Sequence, residues 1–336
     1  MGFTSVGDLL SNFQMRRQSI ASNDALNRLS HELVSGRKSD IAAETDGNFS
    51  ILSAAHRSLD LTRTFTSTGV TAALKADAIQ SVLSGIESRV SGSGPRFLDA
   101  AFLQNSNQIQ TVSATAHTDF IATVAELNTA VAGQSLFAGV ATDDAALLDG
   151  AAILDLLQSQ IASAASGDDA LVIIDQFFND PAGGFETTAY LGSSVEVAPF
   201  RITDTESVAF VPTALDTNLR QSLQGLATAS LIARGAFSGS TRDQAVLIES
   251  AGNSLMSATT SLIALQSGIG DAQARIETAK AFNNARQSSL AQTISDMSRA
   301  DPYATATALQ EQQTQIETLY LVTGRLANLS FLNFLR

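Results

Sequence analysis

Apolar residues recur at helical spacing at both ends of the chain. From Asp8 to Ser35 the sequence contains no Gly or Pro, and its apolar residues are separated mostly by three, four or seven positions: Leu9, Phe13, Ile20, Leu26, Leu29 and Leu33. This spacing is typical of an amphipathic helix, and Gly36 follows at a position where helix C-caps favour glycine. The sequence therefore predicts a helix of about 28 residues, roughly 42 Å long at about 1.5 Å per residue.

The C-terminal end has the same character. The stretch from Asp271 to Thr323 contains no Gly and one proline, Pro302. Asp301 is predicted to cap a helix that begins at this proline, where the missing N–H costs nothing. A heptad-like apolar stripe follows, interrupted by Gln312 and Thr323 and continuing into an apolar tail: Leu309, Ile316, Leu319, Leu326, Phe331, Leu332, Phe334 and Leu335. Both terminal helices need partners, since isolated helices are marginal in water.

The region between the ends predicts further helices and one change of character. Helical periodicity resumes from Phe49 to Val90, the run "SGSGP" (91–95) is predicted to end that helix, and another is expected over 97–132. Residues 140–216 contain short β-branched or aromatic runs, including "ALVIIDQFF" (170–178), "SVEVAPFRIT" (194–203) and "ESVAFVP" (206–212), which are typical of strands and turns. Within this region 151–164 is predicted to be helical, and helix returns near Thr217. The sequence thus predicts a mainly α fold with a small mixed α/β domain inserted in the middle.

Charge and composition exclude several classes of partner. The net charge is -13, and residues 97–219 hold sixteen acidic residues against one basic residue, Arg201. An acidic chain is poorly suited to nucleic acid, whose phosphates are bound by Lys and Arg. No run approaches the roughly 20 apolar residues of a membrane span, and the C-terminal helix has too few basic residues for a membrane surface. Helical partners, within the chain or in other copies, are the better interpretation.

Motifs of enzyme chemistry are not found in the sequence. There is no Cys, which excludes disulfides and thiolate sites. His31, His56 and His117 stand alone, and the pairs Asp143–Asp144 and Asp168–Asp169 lack the ligand spacing of a calcium loop. Nothing singles out two catalytic carboxylates among the thirty-three acidic residues. We therefore predict a non-enzymatic protein without cofactor or metal.

Three stretches resemble the flagellin superfamily. They are "LNRLSHELVSGRKSD" (26–40), "GQSLFAGV" (133–140) and "ALQEQQTQIETLYLVTGRLANLSFLNFL" (308–335). The first is similar to the N-terminal segment of the superfamily, and the other two are similar to its hook-filament junction members, the hook-associated proteins of type 3. The terminal arginine after "FLNFL" is instead a feature of many flagellins.

The resemblance implies a rod of long helices from both chain ends, which pair in the inner shell of a tubular assembly. The implied domains are an N-terminal assembly segment (1–48), the two halves of a helical rod (49–139 and 217–295), an acidic outer α/β domain (140–216) and a C-terminal assembly segment (296–336). The residues expected at the assembly interface, which would otherwise be simple core residues, are Phe13, Ile20, Leu29, Leu33, Leu309, Ile316, Leu319, Leu326, Phe331 and Phe334.

The implied function is that of an adapter that joins the flagellar hook to the filament. Its partners would be other copies of itself in a ring, another hook-associated protein on the hook side, flagellin on the filament side, and an export chaperone. The protein would be extracellular and exported by the flagellar type III apparatus without a cleaved signal peptide. The alternatives are a flagellin or flagellin-like filament subunit, and an unrelated helical scaffold or enzyme.

Overall fold

Helices dominate the computed structural model, which describes residues 6–39, 49–210 and 212–334. The helices are α1 (Val6–Ser35), α2 (Ser50–Leu103), α3 (Ser106–Leu127), α4 (Gly150–Ile161), α5 (Gly167–Asn179), α6 (Thr217–Ala233), α7 (Thr241–Ser298) and α8 (Pro302–Phe334), and Phe185–Ala189 forms a π-helical turn. The described strands are β1 (Ala130–Val131), β2 (Gln134–Ser135), β3 (Phe200–Arg201) and β4 (Ser207–Val208). They form two antiparallel pairs, with Ala130 opposite Ser135 and Phe200 opposite Val208.

The chain divides into two compact units. The terminal unit comprises Met1–Thr62 and Ala285–Arg336, and the central unit comprises Arg63–Asn284. The core of the central unit lies among α2, α3, α6 and α7, where Phe97, Phe120, Leu226 and Leu255 are at most 1% exposed. The prediction of a mainly α fold with a small α/β insert is confirmed, although each described strand is only two residues long.

The predicted helix ends are confirmed where capping signals were present. Gly36, with a φ of 67°, follows the last residue of α1, and its N–H donates to the Glu32 carbonyl at 2.8 Å. The Asp301 carboxylate accepts hydrogen bonds from the N–H groups of Tyr303 (2.8 Å) and Ala304 (3.2 Å), so it caps α8. These signals are local, because a cap depends on the few residues around it.

The prediction that "SGSGP" ends a helix is wrong, because α2 runs through Pro95 to Leu103. Buried positions continue at alternating intervals of three and four across this stretch, at Val90, Ser93, Phe97 and Ala100. The small residues allow α7 to come close, since a Cβ on Gly252 would lie 3.2 Å from the Gly94 carbonyl oxygen. Tertiary packing here outweighs the weak helix propensity of Gly and Pro. The helix expected over 97–132 is accordingly two helices, divided at Gln104 and Asn105.

The prediction of a strand over 170–178 is also wrong, because these residues lie in α5. Ala170, Ile174, Phe177 and Phe178 are buried, which is one face of a helix, and the Ser166 hydroxyl caps it by accepting from the Asp169 N–H at 3.2 Å. A short apolar run does not distinguish a strand from a buried helix by periodicity alone. The helix predicted over 151–164 is confirmed as α4.

The close approach of α2 and α7 yields a stability prediction. We expect Gly252→Val to destabilise the protein by about 2 kcal/mol, because overpacking costs roughly 1–3 kcal/mol and a Cβ there would lie 2.8 Å from Leu98 side-chain atoms. The matched control is Gly268→Val, on the same helix, where a Cβ would meet nothing within 4 Å. Thermal unfolding followed by circular dichroism measures both. An equal Tm for the two variants would contradict the predicted overlap.

Candidate assembly interface

The two terminal helices pair in the terminal unit and run antiparallel. The Thr323 hydroxyl of α8 lies 3.9 Å from the Met15 sulfur of α1. Just beyond the opposite end of the pair, Arg37 and Arg299 form an antiparallel β-bridge. The N-terminal and C-terminal ends of the chain therefore each contribute one helix to an antiparallel helix pair.

Backbone hydrogen bonds hold the end of α1 beside the start of α8. The Lys38 N–H donates to the Ser298 carbonyl at 2.9 Å, and the Ala300 N–H donates to the Gly36 carbonyl at 3.0 Å. These contacts bring together two segments that are far apart in sequence, so they set the register at which the two helices begin to pair.

The contact between α1 and α8 is thin and partly polar. Its less exposed positions recur every three or four residues: Met15, Ser19, Ser22, Leu26, Leu29 and Glu32 on α1, and Thr305, Ala308, Leu309, Gln312, Ile316 and Leu319 on α8. Among the described side chains of these two helices, the buried ones are Ser22, Glu32 and Thr305, all polar. The apolar ones are half-buried at best, so the pair lacks a closed core of its own.

The predicted interface residues fall into three groups. Leu29, Leu309, Ile316 and Leu319 are half-buried along the seam between the helices. Phe13, Ile20 and Leu33 are exposed, at 62%, 56% and 37%. Leu326, Phe331 and Phe334 lie outside the residues whose side chains the structure describes.

Other exposed apolar side chains on this pair were not predicted. They are Leu10, Val34, Tyr303, Tyr320, Leu321 and Val322. The run Leu319–Val322 contains four consecutive apolar residues, which necessarily cover more than one side of a helix. That signal was available in the sequence and indicates that α8 is apolar on its outer side as well as along the seam.

A groove of about 460 Å³ lies between the two helices. Its apolar lining comes from Met15 of α1 and from Leu319 and Val322 of α8, and Gln18 and Thr318 are among its polar residues. Both walls belong to the terminal unit. The groove is wide enough to accept an apolar side chain from another molecule.

The stretch "GQSLFAGV" has a clear structural basis in the central unit. Gly133 (φ 79°) forms the turn between β1 and β2, and Phe137 is fully buried. Gly139 (φ 62°) accepts no side chain, because a Cβ there would lie 2.2 Å from the Ser193 carbonyl oxygen. These residues are therefore required by the local fold.

The described part of the chain offers little for metal or membrane binding. Among the residues that the structure describes, no three or more His, Cys, Asp and Glu side chains are grouped so that they could hold a metal ion. Within the same residues, no helix has the length and apolar character needed to cross a membrane. Asp168 and Asp169 occupy the first turn of α5, where carboxylates are stabilised by the helix dipole.

These features define a class of helical protein whose two chain ends pair and leave apolar side chains exposed. Residues 253–335 match the family model of the bacterial flagellin C-terminal helical region, a segment that includes much of α7 and all of α8. No curated protein matches the chain. The family match supports membership of the flagellin superfamily and a structural role of the flagellar filament type.

The cap of α8 gives a test of the helix pair. We expect Asp301→Ala to cost about 1 kcal/mol of local stability, since loss of an N-cap typically costs 0.5–2 kcal/mol. Hydrogen exchange should then quicken in the first turns of α8. The control is Asp216→Ala, which removes the equivalent cap of α6 and should leave exchange in α8 unchanged. Unaltered exchange in Asp301→Ala would show that the cap does not stabilise this helix.

Proposed function

We propose that this protein is a structural subunit of the bacterial flagellum that joins the hook to the filament and assembles through its terminal unit. The observation that carries the proposal is the exposure of Phe13, Ile20 and Leu321 on two helices that pair from opposite chain ends. The flagellin match, which covers all of α8, supports a flagellar structural role. The runner-up is a flagellin or flagellin-like filament subunit.

Assembly would bury the apolar side chains that the helix pair leaves exposed. Burying a large apolar side chain contributes about 1.5–3 kcal/mol, and the pair has several such side chains in contact with water. In the isolated subunit the helices are held by a seam without a buried large apolar side chain among its described residues. Contacts with neighbouring subunits would bury the exposed residues and offset the entropy of ordering the ends.

The mode of assembly follows from the requirements of an adapter. Head-to-tail contacts between unlike surfaces generate open helical assemblies, whereas two-fold contacts close into dimers. An adapter must present one surface to another hook-associated protein and a different surface to flagellin. Copies of this chain would form a short ring between the two. The likeness of "GQSLFAGV" to junction proteins favours this role over that of a filament subunit.

The remaining parts of the proposal concern export and the acidic region. The protein would leave the cell through the flagellar type III apparatus, with an export chaperone covering its apolar ends until assembly. The absence of Cys suits export as an unfolded chain, since a disulfide would obstruct a narrow channel. The acidic residues of 97–219 would keep the outer surface solvated.

Substitution of exposed residues of α1 should weaken assembly and leave the stability of the folded subunit nearly unchanged. We expect Phe13→Ser with Ile20→Ser to leave the Tm nearly unchanged, because surface substitutions usually change stability by less than about 0.5 kcal/mol. The critical concentration for assembly on a flagellar seed should rise at least about tenfold, which corresponds to roughly 1.4 kcal/mol. Thermal unfolding measures the Tm, and analytical ultracentrifugation measures the amounts of free and assembled protein from which the critical concentration is obtained.

The matched control is Val172→Ser with Val195→Ser. These residues are 57% and 61% exposed in the central unit, so this variant also removes two apolar side chains of similar exposed fraction. Assembly should be unaffected in this variant. Equal effects of the two double variants would show that α1 has no special role.

Localisation separates the junction role from the filament role. Immunogold electron microscopy of intact cells, with antibody against the acidic region, should label a short band where hook meets filament. Label along the whole filament would identify a filament subunit. Label absent from flagella would overturn a flagellar function.

A further inference from the structure

A polar groove of about 790 Å³ lies between α5, α6 and α7 in the central unit. Ten of its twelve lining residues are polar, and the two apolar ones, Leu171 and Val172, are neighbours on α5. Ligand pockets in proteins have volumes of about 300–1,000 Å³ and are lined mainly by apolar side chains. This groove has the size of such a pocket and a much more polar lining, which indicates a hydrophilic ligand.

Three side chains of the groove are held in place by hydrogen bonds to one another. Asp175 Oδ1 accepts from Asn179 Nδ2 at 2.7 Å and from Gln224 Nε2 at 3.2 Å. Asn179 Nδ2 also donates to Gln224 Oε1 at 3.0 Å. The network joins α5 to α6 and leaves Asp175 Oδ2 and Asn179 Oδ1 without a hydrogen bond from another described residue. These two acceptors are therefore positioned before a ligand binds, which lowers the entropic cost of binding.

Other lining residues supply hydrogen-bond donors. They are Gln221 of α6 and Ser250 and Ser254 of α7, whose side chains make no hydrogen bond to another described residue. An amide NH₂ group has two N–H donors, and a hydroxyl group both donates and accepts. The groove thus offers donors and acceptors together. This combination matches a ligand rich in hydroxyl groups, because each of those groups also donates and accepts.

The charge of the lining disfavours anionic ligands. Its charged residues are Asp175 and Asp180, and the described lining includes no Lys or Arg of the kind that binds phosphate or carboxylate groups. It also includes no aromatic side chain on which a flat aromatic ligand could stack. Eight of its ten polar residues are neutral, which favours a neutral ligand over a cationic one. Val172, which is 57% exposed, suits the apolar C–H face of a sugar ring.

We propose that this groove binds a neutral oligosaccharide. Asp175 and Asn179 accept hydrogen bonds from sugar hydroxyls, Gln221 donates to them, and Val172 contacts the face of a ring. All the lining residues belong to the central unit, so a single subunit contains the whole site. The inference goes beyond the proposed function and does not depend on assembly.

Binding of three neutral trisaccharides to the monomeric full-length chain tests the site. The probes are maltotriose, cellotriose and chitotriose, which differ in linkage and in the group at carbon 2. Saturation-transfer NMR detects binding, and isothermal titration calorimetry measures the Kd. At least one probe should bind with a Kd below about 1 mM.

Two substitutions assign the binding to the groove. Gln221→Leu removes a donor, and Val172→Ser removes the apolar contact. Each should raise the Kd at least about tenfold and leave the Tm nearly unchanged, since neither side chain makes a hydrogen bond to another described residue. The matched control is Gln108→Leu, a half-buried glutamine of α3 outside the groove, which should leave the Kd unchanged.

Three outcomes would overturn the proposal. The first is no saturation transfer to any of the three probes. The second is an equal Kd for Gln221→Leu and Gln108→Leu, which would place the sugar elsewhere on the protein. The third is tighter binding of spermidine than of the sugars, which would identify a site for a cationic amine. None of these results bears on the flagellar role, which the assembly and localisation experiments test separately.

Discussion

The pairing of α1 with α8 is the interaction on which the properties of the terminal unit depend. Its seam is long, yet Ser22, Glu32 and Thr305 are the buried residues among the described side chains of the two helices. A helix pair of this kind gains little from the hydrophobic effect, which is proportional to the apolar area removed from water. Its stability must therefore depend on contacts beyond the pair, and this dependence couples folding of the chain ends to assembly.

The central unit, in contrast to the helix pair, has large apolar side chains that are fully buried. Phe97, Phe120 and Leu255 are at most 1% exposed, and small residues let α2 and α7 come close at Gly94 and Gly252. Such packing makes a unit that is folded before it meets a partner. A central unit with its own core and terminal helices that need partners is the arrangement that the proposed assembly requires.

The terminal helices could be predicted because their signals are local. The caps at Gly36 and Asp301 depend on a few neighbouring residues, and the structure confirms both. The errors came where a local signal competed with distant contacts. Gly94 of "SGSGP" lies inside a helix because α7 packs on it. Residues 170–178 form a helix because Ile174, Phe177 and Phe178 together face a core. Strand and helix preferences of such short runs are too similar to decide between them.

For the candidate interface, the amino-acid sequence determined that both ends are helical and apolar. Periodicity, caps and the apolar run Leu319–Val322 depend only on residues that are close together in the sequence. Only the tertiary structure decided which of those residues face each other. It placed Leu29, Leu309, Ile316 and Leu319 along the seam and left Phe13 and Ile20 exposed. The physical reason is that a helix with apolar residues on several sides can be rotated to bury any of them, and contacts with a partner far along the chain select one rotation.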